Sequence, residues 1–370
     1  MMLKFITSTE NLSKLFWFGF LLSYCAYTTH WPSPFFLREY TVPIYLSLLG
    51  FSFLMLYYRA LPLVACLVII LLAHMLALEL PNPDLIGFFR YAFLCAAFFV
   101  MGYYRAGANE IEQVLTFLVG FSLFVILLYF VKTEVVSFYD YGQWRLKGWF
   151  SEPSAVAILS GLLIWSGMYS ENRLRIALGL ILCLFSYSII NVLVCSAIVF
   201  FETKMTIRTL LAGLLAVFAI FLSWELFSHT NERLIYLYGI IADLNFTDFL
   251  LKTNKRTNVV YYTYLDMNFY GYLWSGYGVN QEAFGSDRNL TATLGLAHLF
   301  LKSFGILGVV IYFLLSVVMV LKFKKTKFGW ILVFVIYATI NSAHGLLLQS
   351  FWFYGLGLLS FKSLKSIMLK

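Results

Sequence analysis

The chain has 370 residues, of which 61% are hydrophobic, 19% aromatic and only 12% charged, and its mean hydropathy is +0.83. Soluble domains carry roughly a quarter charged residues, so this composition excludes an ordinary soluble enzyme, a disordered chain and a disulfide scaffold, and it points to a helical bundle with lipid as solvent. The net charge of +8 fits the Lys- and Arg-rich cytoplasmic loops of a membrane protein rather than nucleic-acid binding.

A helix needs about 20 apolar residues to cross the hydrocarbon core. The apolar runs predict spans at 12–29, 42–58, 61–80, 85–104, 111–131 and 154–170, then at 208–226, 304–323, 328–346 and 348–363. The stretch 174–203 is too long for one helix, and Ser186-Tyr187-Ser188 lies at its middle. It predicts a tight hairpin of helices 174–187 and 189–203. The expected fold is therefore an all-α polytopic membrane protein of about twelve transmembrane helices. An outer-membrane barrel is disfavoured, because barrel strands alternate apolar and polar residues. The expected units are an N-terminal bundle (1–131), a central bundle with the first outer segment (132–226), a large outer loop with an interfacial helix (227–303) and the C-terminal helices (304–370). Cys25, Cys66, Cys95, Cys183 and Cys195 all fall inside apolar runs with no CxxC spacing, which predicts reduced packing residues.

Charge sets the expected orientation. With the N-terminus cytoplasmic, the inner segments hold fifteen of the 26 basic residues against five acids. That bias satisfies the positive-inside rule and places both termini inside. The first span lacks a small-residue cleavage site and reads as an uncleaved anchor.

Eleven cations lie elsewhere. Arg145 and Lys147 are in the first outer segment, Arg233, Lys252, Lys255, Arg256 and Arg288 are in the long loop, and Lys302 follows it. Two readings stand. One is a site for an anionic headgroup such as a diphosphate, since the planar arginine fork makes paired bonds to phosphate. The other is a solvated loop of mixed charge.

Three patches sharpen the first reading. In Arg145-Leu-Lys147-Gly148-Trp-Phe-Ser151-Glu152-Pro153-Ser154, proline suits a first helical turn and Glu152 or Ser151 can cap it. A helix start beside two cations is a phosphate cradle or, equally, a capped helix flanked by lipid headgroups. Next, Lys255-Arg256 precedes Gly276-Tyr277-Gly278 through an aromatic stretch containing Asp266 and Asn268. Last, His298 and Lys302 share a helical face at i,i+4 just before Gly305-Ile-Leu-Gly308. His298 is the best single proton carrier by its pKa range. There is no Walker loop, HExxH, GxSxG or paired Cys/His spacing, so no cofactor or metal is expected.

These motifs, in this order, resemble those of the bacterial Wzy-type O-antigen polymerases of the O-antigen ligase/polymerase superfamily. The resemblance implies a GT-C-like fold at the inner membrane and a glycosyltransferase acting at the periplasmic face. A growing glycan on undecaprenyl diphosphate would be moved to the non-reducing end of another lipid-linked repeat. A ligase acting on lipid A–core, or a lipid-linked oligosaccharide flippase, are the alternatives. Arg256, with Arg145 and Arg233, would hold the diphosphate, and His298 matches the functional histidine of the ligase branch. His298, Glu152 or Asp266 would serve as base. The implied partners are the lipid-linked oligosaccharide, the bilayer and a Wzz-type chain-length regulator, with no nucleic acid. One departure stands out: many relatives carry Ser-Arg near the short hairpin's outer end, where this chain reads Ser186-Tyr187-Ser188-Ile-Ile-Asn191. A phosphate contact there is missing or supplied by another arginine.

Overall fold

The computed structural model describes residues 96, 98–103, 110–132, 134, 136–140, 143–148, 153–186, 188–203, 264–265, 267–276, 296–340 and 351–360. After a helical segment at 98–103 come α1 (Glu110–Phe130), the strands β1 (Ser137–Asp140) and β2 (Gln143–Leu146), and a 3-10 turn at Pro153–Ala155. Helices α2 (Val156–Tyr169), α3 (Arg173–Phe185) and α4 (Ile189–Glu202) follow, then α5 (Leu296–Phe323), α6 (Trp330–Ile340) and α7 (Phe351–Ser360).

Helix α2 is the centre of this arrangement. Every residue from Val156 to Gly167 is buried. A helix that is apolar on all faces has no side to offer water and must be surrounded. Two apolar clusters meet on it. Ala157, Ile158, Ile164 and Trp165 join the larger one, with α4, α5, α6 and α7. Val156, Leu159 and Leu163 join the smaller one, with Val125 of α1, Leu146 of β2 and Leu182 of α3.

The predicted hairpin within 174–203 is the α3–α4 pair. Asn172 caps α3, its side-chain oxygen accepting from the Arg175 N–H at 3.2 Å. Ser186 closes it, its N–H donating to the Leu182 carbonyl at 3.1 Å.

The twelve-span expectation is corrected. Among the described residues one helix, Phe304–Phe323, is long and apolar enough to cross a membrane. The apolar helices Val156–Tyr169, Ile190–Glu202, Trp330–Thr339 and Phe351–Ser360 are 10–17 residues long. Val156–Tyr169 and Ile189–Glu202, at 14 residues each and ~1.5 Å per residue, fall short of the ~30 Å hydrocarbon core. Much of their apolar surface is used against neighbouring helices, which a hydropathy run along the sequence cannot distinguish from surface facing lipid. The described architecture is mostly helical, and neither an all-α polytopic bundle of about twelve spans nor a multi-pass inner-membrane placement with both termini cytoplasmic is supported by it.

The first outer segment holds a second correction to the all-α expectation. β1 and β2 form an antiparallel pair with Ser137 opposite Leu146, Phe138 opposite Arg145, Tyr139 opposite Trp144 and Asp140 opposite Gln143. Asp140 and Gln143 are separated by the two residues Tyr141-Gly142, the short spacing of a tight hairpin. The rings of Tyr139 and Trp144 meet edge to face, 5.4 Å apart, the kind of cross-strand aromatic pair that stabilises a two-stranded ribbon.

The helices place charge at two ends of the bundle. The α2–α3 turn, the end of α4 and the α5–α6 turn lie together. Glu202 of α4 accepts from the Lys325 N–H, and Gly329 sits against the Trp165 indole of α2. The α3–α4 tip lies at the other end, with the β-hairpin and the C-terminus of α1, whose Tyr129 ring stacks on Phe185 at 5.1 Å.

Candidate functional site

Arg145 is the first of the expected site residues to find a place. It is 7% exposed, and its Nε donates to the main-chain carbonyl of Ser186 at 3.3 Å. That carbonyl lies at the C-terminal end of α3, where the last carbonyls of a helix carry partial negative charge. Lys147 follows the strand half-buried, its backbone N–H donating to the Val136 carbonyl at 2.9 Å.

Beneath Arg145 a polar chain runs into the apolar interior. Ser186 Oγ donates to the Cys183 carbonyl at 2.8 Å and accepts from Asn191 Nδ2 at 2.8 Å. Asn191 Oδ1 in turn accepts from Ser160 Oγ of α2. The Cys195 thiol lies 3.4 Å from that same Oδ1 and 3.5 Å from Ser160 Oγ. Asn191 is completely buried, and both ends of its amide are bonded, as a buried amide requires. Cys183 and Cys195 are buried free thiols. The role of Asn191 was missed from sequence, where the only signal was an amide inside an apolar run.

The second place is α5, which is two helical pieces joined at Gly305, where φ is +66° and ψ −161°. That conformation is essentially restricted to glycine. Twelve residues of straight helix rise ~18 Å, yet the Phe300 and Tyr312 rings stand 5.0 Å apart. The segment 296–304 therefore folds back as an arm over the start of the apolar span. Gly308 makes room for it: a Cβ there would lie 2.9 Å from the Phe300 carbonyl oxygen. The loop ending at Gly276 covers the bend, with the Ile306 N–H donating to the Leu273 carbonyl at 2.9 Å. The second and third sequence motifs thus meet at Gly305.

His298 and Lys302 lie on this arm, 7% and 4% exposed. Burial, reinforced by the Lys302 charge, holds the His298 imidazole down at about 4. Burial also brings the Lys302 ammonium down to about 8. His298 Nδ1 is buried without a hydrogen-bond partner. His298 and Lys302 thus lie one turn apart on the helical arm, as their i,i+4 spacing predicts. Glu152, Asp266, Arg233, Arg256 and Arg288 lie outside the described residues, as do the residues that follow Gly276 in its motif.

Compared with family models, with curated proteins and with solved structures, the chain matches none. The resemblance to the polymerases rests on the quoted motifs alone. The polymerase function, with its ligase and flippase alternatives, was framed on a polytopic bundle of about twelve spans. One candidate span among the described residues does not support that frame, and these functions are withdrawn with it.

Proposed function

We propose that the protein binds the phosphate end of an amphiphilic, lipid-linked ligand on the folded-back arm of α5, with His298 and Lys302 as the polar contacts. The observation that carries this reading is the buried, unpartnered Nδ1 of His298, one helical turn from Lys302. A buried nitrogen left unbonded costs about 1–3 kcal/mol, a cost that a ligand oxygen in hydrogen-bonding range would remove. With its pKa near 4 the imidazole is neutral at pH 7 and can donate an N–H, while Lys302, near 8, is still mostly protonated and supplies the charge. The span Phe304–Phe323 begins two residues beyond Lys302, and only 28% of it is buried. A core helix of a soluble protein is mostly buried, so this one leaves an apolar face for a lipid tail.

The test uses the full chain in detergent and follows thermal unfolding with farnesyl diphosphate, farnesol or inorganic phosphate. Farnesyl diphosphate should raise the midpoint while farnesol does not, and the rise should disappear in His298→Ala and Lys302→Met. A shift of equal size with farnesol, or one retained in both variants, would sink the proposal.

A further inference from the structure

The end of the bundle away from Arg145 carries a different feature. Lys322, Lys324, Lys325 and Lys327 crowd the turn between α5 and α6, and all four are exposed. The turn is fixed in shape. Lys325 has φ +59°, and both carboxylate oxygens of Glu202 accept from its backbone N–H, at 3.1 and 2.9 Å. Arg173 is exposed at the first residue of α3, beside the same end. A cation there faces the positive end of the helix dipole, so it is placed against its own helix. Leu314, Val317, Val318 and Leu321 of α5 are exposed and recur at i, i+3, i+4 and i+7, one stripe of the helix that stops one residue short of Lys322.

We infer that this end of the protein docks on an anionic lipid surface, the lysine turn at headgroup level and the α5 stripe against the acyl chains. The two features adjoin along one helix, which is the order of layers in a leaflet. Basic segments next to a membrane-embedded helix are drawn to anionic lipid within a Debye length. A nucleic acid would satisfy the lysines and leave the apolar stripe in water, so the lipid is the better fit. Glu202 acts as a positioning residue for the turn.

The inference concerns the opposite end of α5 from His298 and uses neither His298 nor Lys302, although both readings draw on the exposed apolar face of α5. The experiment takes the full chain in detergent and adds dansyl-phosphatidylglycerol or dansyl-phosphatidylcholine in mixed micelles, reading energy transfer from the protein's tryptophans. The glycerol lipid should be preferred by about tenfold at low salt. Salt of roughly 0.5 M should bring the preference near unity. So should the quadruple variant K322Q/K324Q/K325Q/K327Q, which alters only exposed side chains and whose fold is checked by circular dichroism. Equal binding of the two lipids by the wild-type chain overturns the inference. So does an unchanged preference in the folded variant, or displacement of the lipid by a short oligonucleotide at equal charge.

Discussion

Arg145 of β2 donates from Nε to the main-chain carbonyl of Ser186, 41 residues further along, and so ties the β-hairpin to the tip of α3 and α4. The tip itself contains no arginine, and the guanidinium arrives from another element. Phe138 stands opposite it in the ribbon, and the neighbouring Leu146 is completely buried in the cluster of α1, α2 and α3. The β-hairpin is thereby fixed at both its apolar and its charged positions.

Replacing Arg145 by alanine should therefore destabilise the fold, since a hydrogen bond from a charged group is worth about 1.5–3 kcal/mol. Arg145→Lys should recover only part of the loss, because an ammonium on a flexible stem does not reproduce the Nε geometry. Thermal unfolding of the three proteins decides it, and a fully stable Arg145→Ala would show that the contact contributes nothing.

Gly305 has the sharpest backbone requirement. Its φ of +66° with ψ near −161° is closed to other residues, and an added Cβ would lie 2.6 Å from the Leu273 carbonyl oxygen and closer still to Trp274. Gly305→Ala should cost about 3 kcal/mol or more, combining backbone strain with steric displacement. It should also expose His298 and Lys302 by releasing the arm. Proteolysis within 296–304 should then speed up relative to the wild-type chain, whereas a variant melting at the wild-type temperature would contradict the fold-back.

Asn191 joins α3, α4 and α2 through Ser186 and Ser160. Asn191→Leu should remove both bonds at once and leave the Ser186 hydroxyl with its helix carbonyl, and the Ser160 hydroxyl with its helix carbonyls and the Cys195 thiol, as partners. The expected loss is about 1–3 kcal/mol. Asn191→Leu combined with Ser160→Ala should be less destabilising than the sum of the two single changes, because the pair shares one interaction. A chemical-denaturation cycle measures this directly, and strict additivity would remove the Ser160 link from the argument.

Legibility in the sequence followed the range of the forces involved. The α3–α4 hairpin was readable because charges flank it and Ser186-Tyr187-Ser188 interrupts the apolar run. His298 and Lys302 were readable as neighbours because helix geometry alone sets i,i+4. The β-hairpin was not, since Phe138, Tyr139 and Trp144 look the same as rings at a membrane interface, and their pairing depends on a partner strand. The bend at Gly305 was hidden for a related reason. Gly305-Ile-Leu-Gly308 reads as the start of a span, and only the approach of Leu273, Trp274 and Phe300 shows why both glycines are needed. The twelve-span expectation failed on helix length: Val156–Tyr169 is as apolar as a transmembrane segment but is only 14 residues long, and hydropathy along the sequence does not mark where a helix ends.

The arm also makes stability depend on pH, in two limbs. His298 has its pKa lowered from 6.5 to about 4 by burial and by Lys302. Between those values the unfolded histidine is protonated and the folded one is not, so stability is fully present above 6.5 and is lost as pH falls towards 4. At about 1.4 kcal/mol per pKa unit the loss is roughly 3 kcal/mol at most. Lys302 is lowered from 10.5 to about 8 by burial. Below 8 the folded chain bears the cost of a buried ammonium that the unfolded chain does not, and that cost is relieved as pH rises from 8 to 10.5. Melting temperature plotted against pH should thus rise across both windows. His298→Leu should flatten the acid limb and leave the alkaline one, while Lys302→Met should flatten the alkaline limb and, by removing a neighbouring charge, move the acid limb to higher pH. An acid limb unchanged in His298→Leu would assign that titration to another group.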